Sequence, residues 1–183
     1  LLHRGNDLGL NSRFGQLAST WAKVVDLRSG ALRGSLITIP PSPGFAALVA
    51  QGQAELGPHG SPGGRVPSTW RELLFNPSKS DAGLLDSNGI TVFRVVAGQI
   101  KCYGDQTLLQ IKDPRQFGNV SRMINQFIHE AESRLSTVIF AAGNDTLFPR
   151  ITGILDRLLG EYHRAGALYP RTDAKRAYRV VCD

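Results

Sequence analysis

The pair His129-Glu130 is the one start of a catalytic signature in the chain. A zinc-protease HExxH helix needs a second histidine four residues on, so that two imidazoles meet the metal from one helix face. Position 133 is Ser133, and His129 projects opposite the apolar stripe of its helix, so it reads as a solvated histidine. His59 has no His, Cys or carboxylate at a metal spacing and reads the same way. Cys102 and Cys182, the only cysteines, fall in expected strands outside any CxxC pattern and read as reduced core thiols. No nucleophile elbow, Walker loop or dinucleotide-binding GxGxxG follows an expected strand, and Gly63-Gly64 has no helix opening behind it. Asp145, Asp156, Glu161 and Asp183 form no recognisable acid–base pair, so no catalytic, cofactor or metal residue is expected and the chain does not read as an enzyme.

One charge pattern remains. Arg150, Arg157 and Arg164 recur every seven residues and fall nearly in line along one helix. Two readings stand: a solvated flank, with Arg157 and Glu161 as an i,i+4 pair, or a cationic ridge facing an acidic partner.

The elements that position these residues lie between Asn119 and Asp183. Asn119 is a candidate cap for a helix whose stripe is Val120, Met123, Ile124, Phe127, Ile128, Ala131 and Leu135. Thr137-Val138-Ile139-Phe140-Ala141, apolar on both parities, reads as a central strand. A second stripe runs through Leu147, Ile151, Ile154, Leu155, Leu158, Leu159, Tyr162 and Ala165, with Asp145 as candidate cap, Pro149 delaying the regular helix, and Gly166 ending it. Ala177, Tyr178, Arg179, Val180, Val181 and Cys182 read as a returning strand, with Tyr178, Val180 and Cys182 on one face.

Upstream, residues 1–20 lack periodicity and read as the end of a preceding element. Trp21–Asp26 and Leu36–Ile39 read as strands, and Phe45–Gln51 as a helix capped by Ser42 with Pro43 at its first position. The segment 51–69, with five glycines and three prolines, reads as a surface loop, followed by an apolar anchor at Trp70. Asp81 to Asn88 reads as a short helix ended by Asn88-Gly89. Ile90–Val96 and Gln99–Tyr103 read as a hairpin turning at Ala97-Gly98.

The net charge is +6, with 21 basic and 15 acidic residues. The basic residues are scattered and no aromatic–basic repeat suggests a stacking groove, so nucleic acid is an unfavoured partner. No apolar run reaches the ~20 residues of a membrane span and no signal peptide opens the chain, so it is expected to be soluble, made inside the cell and not membrane-inserted. Leu1 is not an initiating methionine, and the numbering is expected to begin inside a longer polypeptide or an incompletely determined sequence.

Several segments resemble contractile phage tail sheath proteins. Arg164-Ala165-Gly166-Ala167-Leu168 and Ala177-Tyr178-Arg179-Val180-Val181-Cys182-Asp183 resemble the RAGAL and AFxVxCD segments of the family's C-terminal domain. Asp86 to Arg94 resembles NPxGINxxR, Gln99 to Leu108 resembles GIRVWGARTL, and Phe117 to Arg122 resembles the entry to the first long helix. Trp21 to Gly30 and Pro40 to Ala50 resemble PWxKVxDPLTG and PPSGxVAGxxA more loosely. Three departures stand out: the FEPN turn is one residue longer at Phe140 to Asn144, Lys175-Arg176 replaces an acidic pair, and the sequence stops at Asp183 where family members continue into an arm.

The resemblance implies an α+β fold, a mixed β-sheet with a hairpin and two long helices packed on it. It divides the chain into 1–50, the end of a preceding sheath domain with linking strands; 51–85, a surface excursion and anchor; and 86–183, the sheath C-terminal inner domain. It also implies a structural subunit of a virion tail, assembled in the host cytoplasm from hexameric rings of copies of itself stacked in a helical sheath. Its further partners would be a tail tube protein and baseplate and tail terminator proteins, with no cofactor. On this reading Arg150, Arg157 and Arg164 would face the tube, and Ala177 to Cys182 would join an inter-subunit sheet. The rival is a basic nucleic-acid-binding module; a secretion-system sheath or an armless baseplate-end homologue lies within the same machine class.

Overall fold

A computed structural model describes residues 10–28, 34–141 and 146–182. The chain divides into two compact units. The first comprises the residues up to Glu55 with Gly60–Ser121, and the second comprises Leu56–His59 with the residues from Arg122 onward. Neither expected boundary, at 50/51 or at 85/86, coincides with this division.

In the first unit the order is β1 (Leu17–Ser19), β2 (Ala22–Val25), β3 (Leu36–Ile39), α1 (Pro41–Leu56), β4 (Trp70–Leu73), α2 (Lys79–Ser87), β5 (Ile90–Val96) and β6 (Gln99–Tyr103). The last residue of α1, Leu56, belongs to the second unit. A mixed sheet has the strand order β1-β5-β6, with β1 parallel to β5 (Leu17 opposite Ile90) and β5 antiparallel to β6. The second sheet, β3-β2-β4, is antiparallel. The β5–β6 hairpin turns where expected. Ala97 (φ 51°) and Gly98 (φ 75°) both take the left-handed conformation that two-residue hairpin loops require.

Apolar residues from both sheets and α1 form one core: Ala22, Phe45, Leu48, Trp70, Leu73, Phe93, Ile100 and Cys102. Trp70 and Phe93 lie at 4.4 Å between ring centroids. Helix α1 crosses this pair so closely that a Cβ on Gly44 would sit 2.3 Å from the Trp70 ring. The helix starts at Pro41 rather than after a Ser42 cap. Helix α2 opens with a reciprocal capping box between Ser78 and Asp81.

Two expectations for this unit are corrected. Residues 51–56 are the last turns of α1, and the loop beyond them is not a free excursion: Gly64 N–H donates to Cys102 O and Cys102 N–H to Arg65 O, at 2.8 and 2.9 Å, on the edge strand β6. Nor do residues 13–19 end some other element. Ser121 Oγ donates to Arg13 O at 2.9 Å, Gln16 Nε2 to the buried Asp105 at 2.9 Å, and β1 completes the mixed sheet. These buried polar groups carry partners, as burial demands.

The second unit is helical. It holds α3 (Gly118–Leu135) from Arg122 onward, α4 (Leu147–Arg164) and the single turn α5 (Ala174–Ala177). Asn119 lies inside α3 rather than capping it. The expected central strand at Thr137–Ala141 is absent: Ser136–Val138 is a turn of 3-10 helix, and Ile139 and Phe140 are 66% and 98% exposed. The two helices therefore bury their stripes against each other, through Ala131, Leu158 and Tyr162 with Met123, Phe127 and Leu155 around them. Phe127 and Tyr162 meet edge-on at 5.9 Å. The expected α+β class holds, with a mixed sheet, a hairpin and two long helices.

Candidate assembly surface

Helix α4 owes its limits to two local devices. Its first regular residue is Leu147, so Pro149 stands at the third position, where a missing N–H leaves no hydrogen bond unmade. The expected Asp145 cap lies outside the described residues. At the other end Gly166 (φ 79°) follows Ala165, with Gly166 N–H bonded to His163 O and Ala167 N–H to Tyr162 O, at 2.9 and 3.0 Å. This pair of bonds is the Schellman closure, which needs the left-handed residue that glycine supplies without strain.

Arg150, Arg157 and Arg164 are all exposed on α4, while Leu158 and Tyr162 on the same helix are buried. At 1.5 Å per residue they stand about 10 Å apart along the axis. None of the three forms an ion pair among the described residues; Arg164 Nε donates to Gly160 O at 3.2 Å. The expected Arg157–Glu161 pair is replaced by a bridge between helices. Arg134 on α3 donates from Nη1 and Nη2 to Glu161 Oε1 and Oε2 at 3.0 and 2.5 Å. That bridge holds the Glu161 carboxyl below the usual range, and the charges of Arg164 and Arg157 push in the same direction.

The other predicted set, Ala177 to Cys182, forms no strand among the described residues. Ala177 closes α5, whose cap is Asp173 accepting from Lys175 N–H at 3.1 Å. Tyr178 is extended (φ −154°, ψ 161°) and exposure then alternates: Tyr178, Val180 and Cys182 half-buried, Arg179 and Val181 exposed. This is the two-residue period expected from the sequence, carried by a segment without a ladder partner among the described residues. Tyr178 Oη donates to Asp156 O at 3.4 Å, and its ring lies 6.3 Å from that of His163, so the start of the segment rests against α4.

The structure brings the three arginines onto one helix and sets the extended segment against that same helix at Tyr178. It also gathers residues the sequence reading passed over. Glu130, seen only as half of a failed metal motif, lines a small cavity with Gln126, Glu161 and Tyr162, and His59 is half-buried there rather than fully solvated. His129 is exposed, as expected. Burial, and next the charge of Glu130, push the Tyr162 phenol up to about 12. Among the described residues no three of His, Cys, Asp and Glu converge as metal ligands, and no helix is long and apolar enough to cross a membrane.

No protein-family model and no curated protein matches the sequence. Solved structures do. The chain is similar to the helical sheath of the anti-feeding prophage in the contracted state, with TM-score 0.75 and 17% identity over 89% of this chain and 44% of that one. It is similar to the contracted sheath complex of the PVC extracellular contractile injection system, with TM-score 0.74 and 18% identity over 92% and 46%. It is also similar to the sheath tail protein of Listeria innocua, with TM-score 0.63 and 14% identity over 94% and 43%. The chain thus spans less than half the length of the sheath chains it matches. Its two units, from the mixed sheet to the extended segment after α5, have the fold of contractile tail sheath proteins.

Proposed function

We propose that this chain is part of the structural subunit of a contractile sheath, which polymerises around a tail tube and shortens to drive the tube through an envelope. The observation that carries this reading is the match of about nine-tenths of the chain to sheath proteins, two of them in the contracted state. The subunit would stack as hexameric rings in a virion tail, assembled in the host cytoplasm, with baseplate and terminator proteins at the ends. Contraction requires two packings of one rigid fold separated by favourable free energy.

Two surfaces serve this role. The ridge Arg150, Arg157 and Arg164 would meet an acidic tube. Its members stand about one Debye length apart at physiological salt, so each contact is separately screened, weak and breakable, as release of the tube demands. Ala177 to Cys182 would add to a sheet shared between subunits: the segment from Tyr178 is extended, alternates in exposure and has no ladder partner among the described residues.

Negative-stain electron microscopy of the chain expressed within its full reading frame, with and without its tube protein, tests the proposal. Ribbed cylinders are expected, wider and shorter without the tube. Dispersed monomers that retain DNA with a steep salt dependence would instead favour a nucleic-acid-binding module. Charge reversal at all three arginines is expected to abolish tube co-assembly, and intact co-assembly would sink the ridge.

A further inference from the structure

The chain doubles back directly after α4, and three local contacts fix where it goes. Gly166 closes the helix, His163 Nε2 donates to Pro170 O at 2.9 Å, and the next side chain, Arg171, lies over Gly166. Its Cζ and Nε stand 3.5 Å from where a Cβ on that glycine would be. Arg171 is thereby brought to the helix end that carries Arg164. These two arginines, His163 and His59 line one open cavity of about 430 Å³ within the second unit, with Leu56 and Ala165 as apolar wall and no carboxylate in the lining.

Cations at a helix C-terminus ordinarily answer the negative end of the helix dipole. Here that demand is already met. Gly160 O accepts from Arg164 Nε, and the carbonyls of Glu161, Tyr162 and His163 accept from the N–H groups of Ala165, Ala167 and Gly166. The carboxylates of the adjoining cavity are engaged too, Glu161 by Arg134 and Glu130 by Gln126 and the Tyr162 phenol. Arg164 acts on Glu161 through its charge and not through a hydrogen bond. Arg164 has thus spent one of its N–H donors, and Arg171 makes no hydrogen bond or ion pair among the described residues.

We infer that this cavity binds a phosphate group. A carboxylate pairs side by side with one guanidinium, whereas a phosphate offers three acceptor oxygens and close to two negative charges, enough for guanidiniums reaching it from two stretches of chain. Arg171 on Gly166 and His163 on Pro170 O are in place before the ligand arrives, which lowers the cost of ordering them. The volume lies in the range of small-molecule sites and exceeds a bare phosphate, leaving space beside Leu56 and Ala165 for an organic remainder.

Equilibrium dialysis of the chain against radiolabelled orthophosphate, at constant ionic strength in chloride, tests the site. It works on monomer and polymer alike, so its outcome is independent of the sheath reading. Saturable uptake of about one ion per chain is expected. The dissociation constant should rise about tenfold or more in Arg171→Gln and in Arg164→Gln, and stay unchanged in Arg71→Gln, which alters an exposed arginine of β4 in the first unit. Arg164 and Arg171 are both exposed, so each variant should keep the circular dichroism spectrum of the parent. Uptake that does not saturate, equal weakening in Arg71→Gln, unchanged constants in both site variants, or displacement by acetate as effective as by phosphate overturns the inference. Unlabelled phenyl phosphate separates the two sources of the group. Competition tighter than that of orthophosphate assigns the space beside Leu56 and Ala165 to an organic phosphomonoester, and equal or weaker competition assigns the cavity to the inorganic ion.

Discussion

Replacing Gly44 with alanine adds one methyl group where the helix crosses the core of the first unit. The new Cβ would stand 2.3, 2.6 and 2.8 Å from Cζ2, Cε2 and Nε1 of Trp70. Carbon atoms in contact prefer about 3.5–4.0 Å, so the overlap exceeds an ångström. Trp70 is 6% exposed and packed on Phe93, which is fully buried, so the indole has no free space to enter. Overpacking of this kind costs about 1–3 kcal/mol or more, while exchanging glycine for alanine in a helix returns at most about 1 kcal/mol. The net expectation is a loss of about 2 kcal/mol, which lowers Tm by roughly 5–15 °C in a unit of this size. Gly83 in α2 is the control, since a Cβ there meets nothing within 4 Å. Gly83→Ala should leave stability unchanged or raise it by up to about 1 kcal/mol. Urea unfolding followed by tryptophan fluorescence reads both variants. A Gly44→Ala chain as stable as Gly83→Ala would refute the close crossing.

Leu158→Ala removes a fully buried apolar side chain of the helical pair and should cost about 2–5 kcal/mol, read by thermal unfolding; a loss under 1 kcal/mol would mean the helices do not pack through it. The Asp113 carboxyl is held down to about 2, chiefly by hydrogen bonds from Arg115, so its contribution is present above the unfolded value near 4 and is lost as pH falls through about 2. Asp113→Asn should therefore flatten the decline of the urea midpoint over that window while leaving its slope near pH 7 unaltered. Burial pushes the Cys102 thiol up to about 12, so at pH 8 an aromatic disulfide reagent should titrate one thiol per folded chain, Cys182, and a second only on unfolding.

Local chemistry made much of the fold legible. The paired positive-φ turn at Ala97-Gly98, the Asn88-Gly89 stop and the Gly166 closure each rest on a few adjacent residues, and each stands where the sequence puts it. So do the two apolar stripes, because a 3.6-residue period is written along one helix. Thr137 to Ala141 was not legible, since a short run of β-branched and aromatic residues records strand propensity but not whether a neighbouring strand exists to receive it. Phe140, almost wholly exposed, shows that propensity alone did not prevail. The parallel partnership of β1 with β5 joins segments about 70 residues apart, which no local pattern encodes. At the candidate surface the seven-residue recurrence located the three arginines, but the partner of Glu161 lay on another helix and could not be read from Arg157 four residues away.

That pairing of Leu17–Ser19 with Ile90–Val92 also fixes an order of events in time. The β5–β6 hairpin can close within about 1–10 μs of being made, whereas translation proceeds at about 5–20 residues per second. The first strand therefore waits several seconds on the ribosome, its ladder groups solvated, before the hairpin it docks on exists. Joining ends that far apart costs roughly 4 kcal/mol of chain entropy by logarithmic scaling, which only the nearly finished core can offset. Completion of the mixed sheet is then a late step of biogenesis, and nascent chains stalled before Ile90 would carry an unpaired strand available to chaperones or to one another.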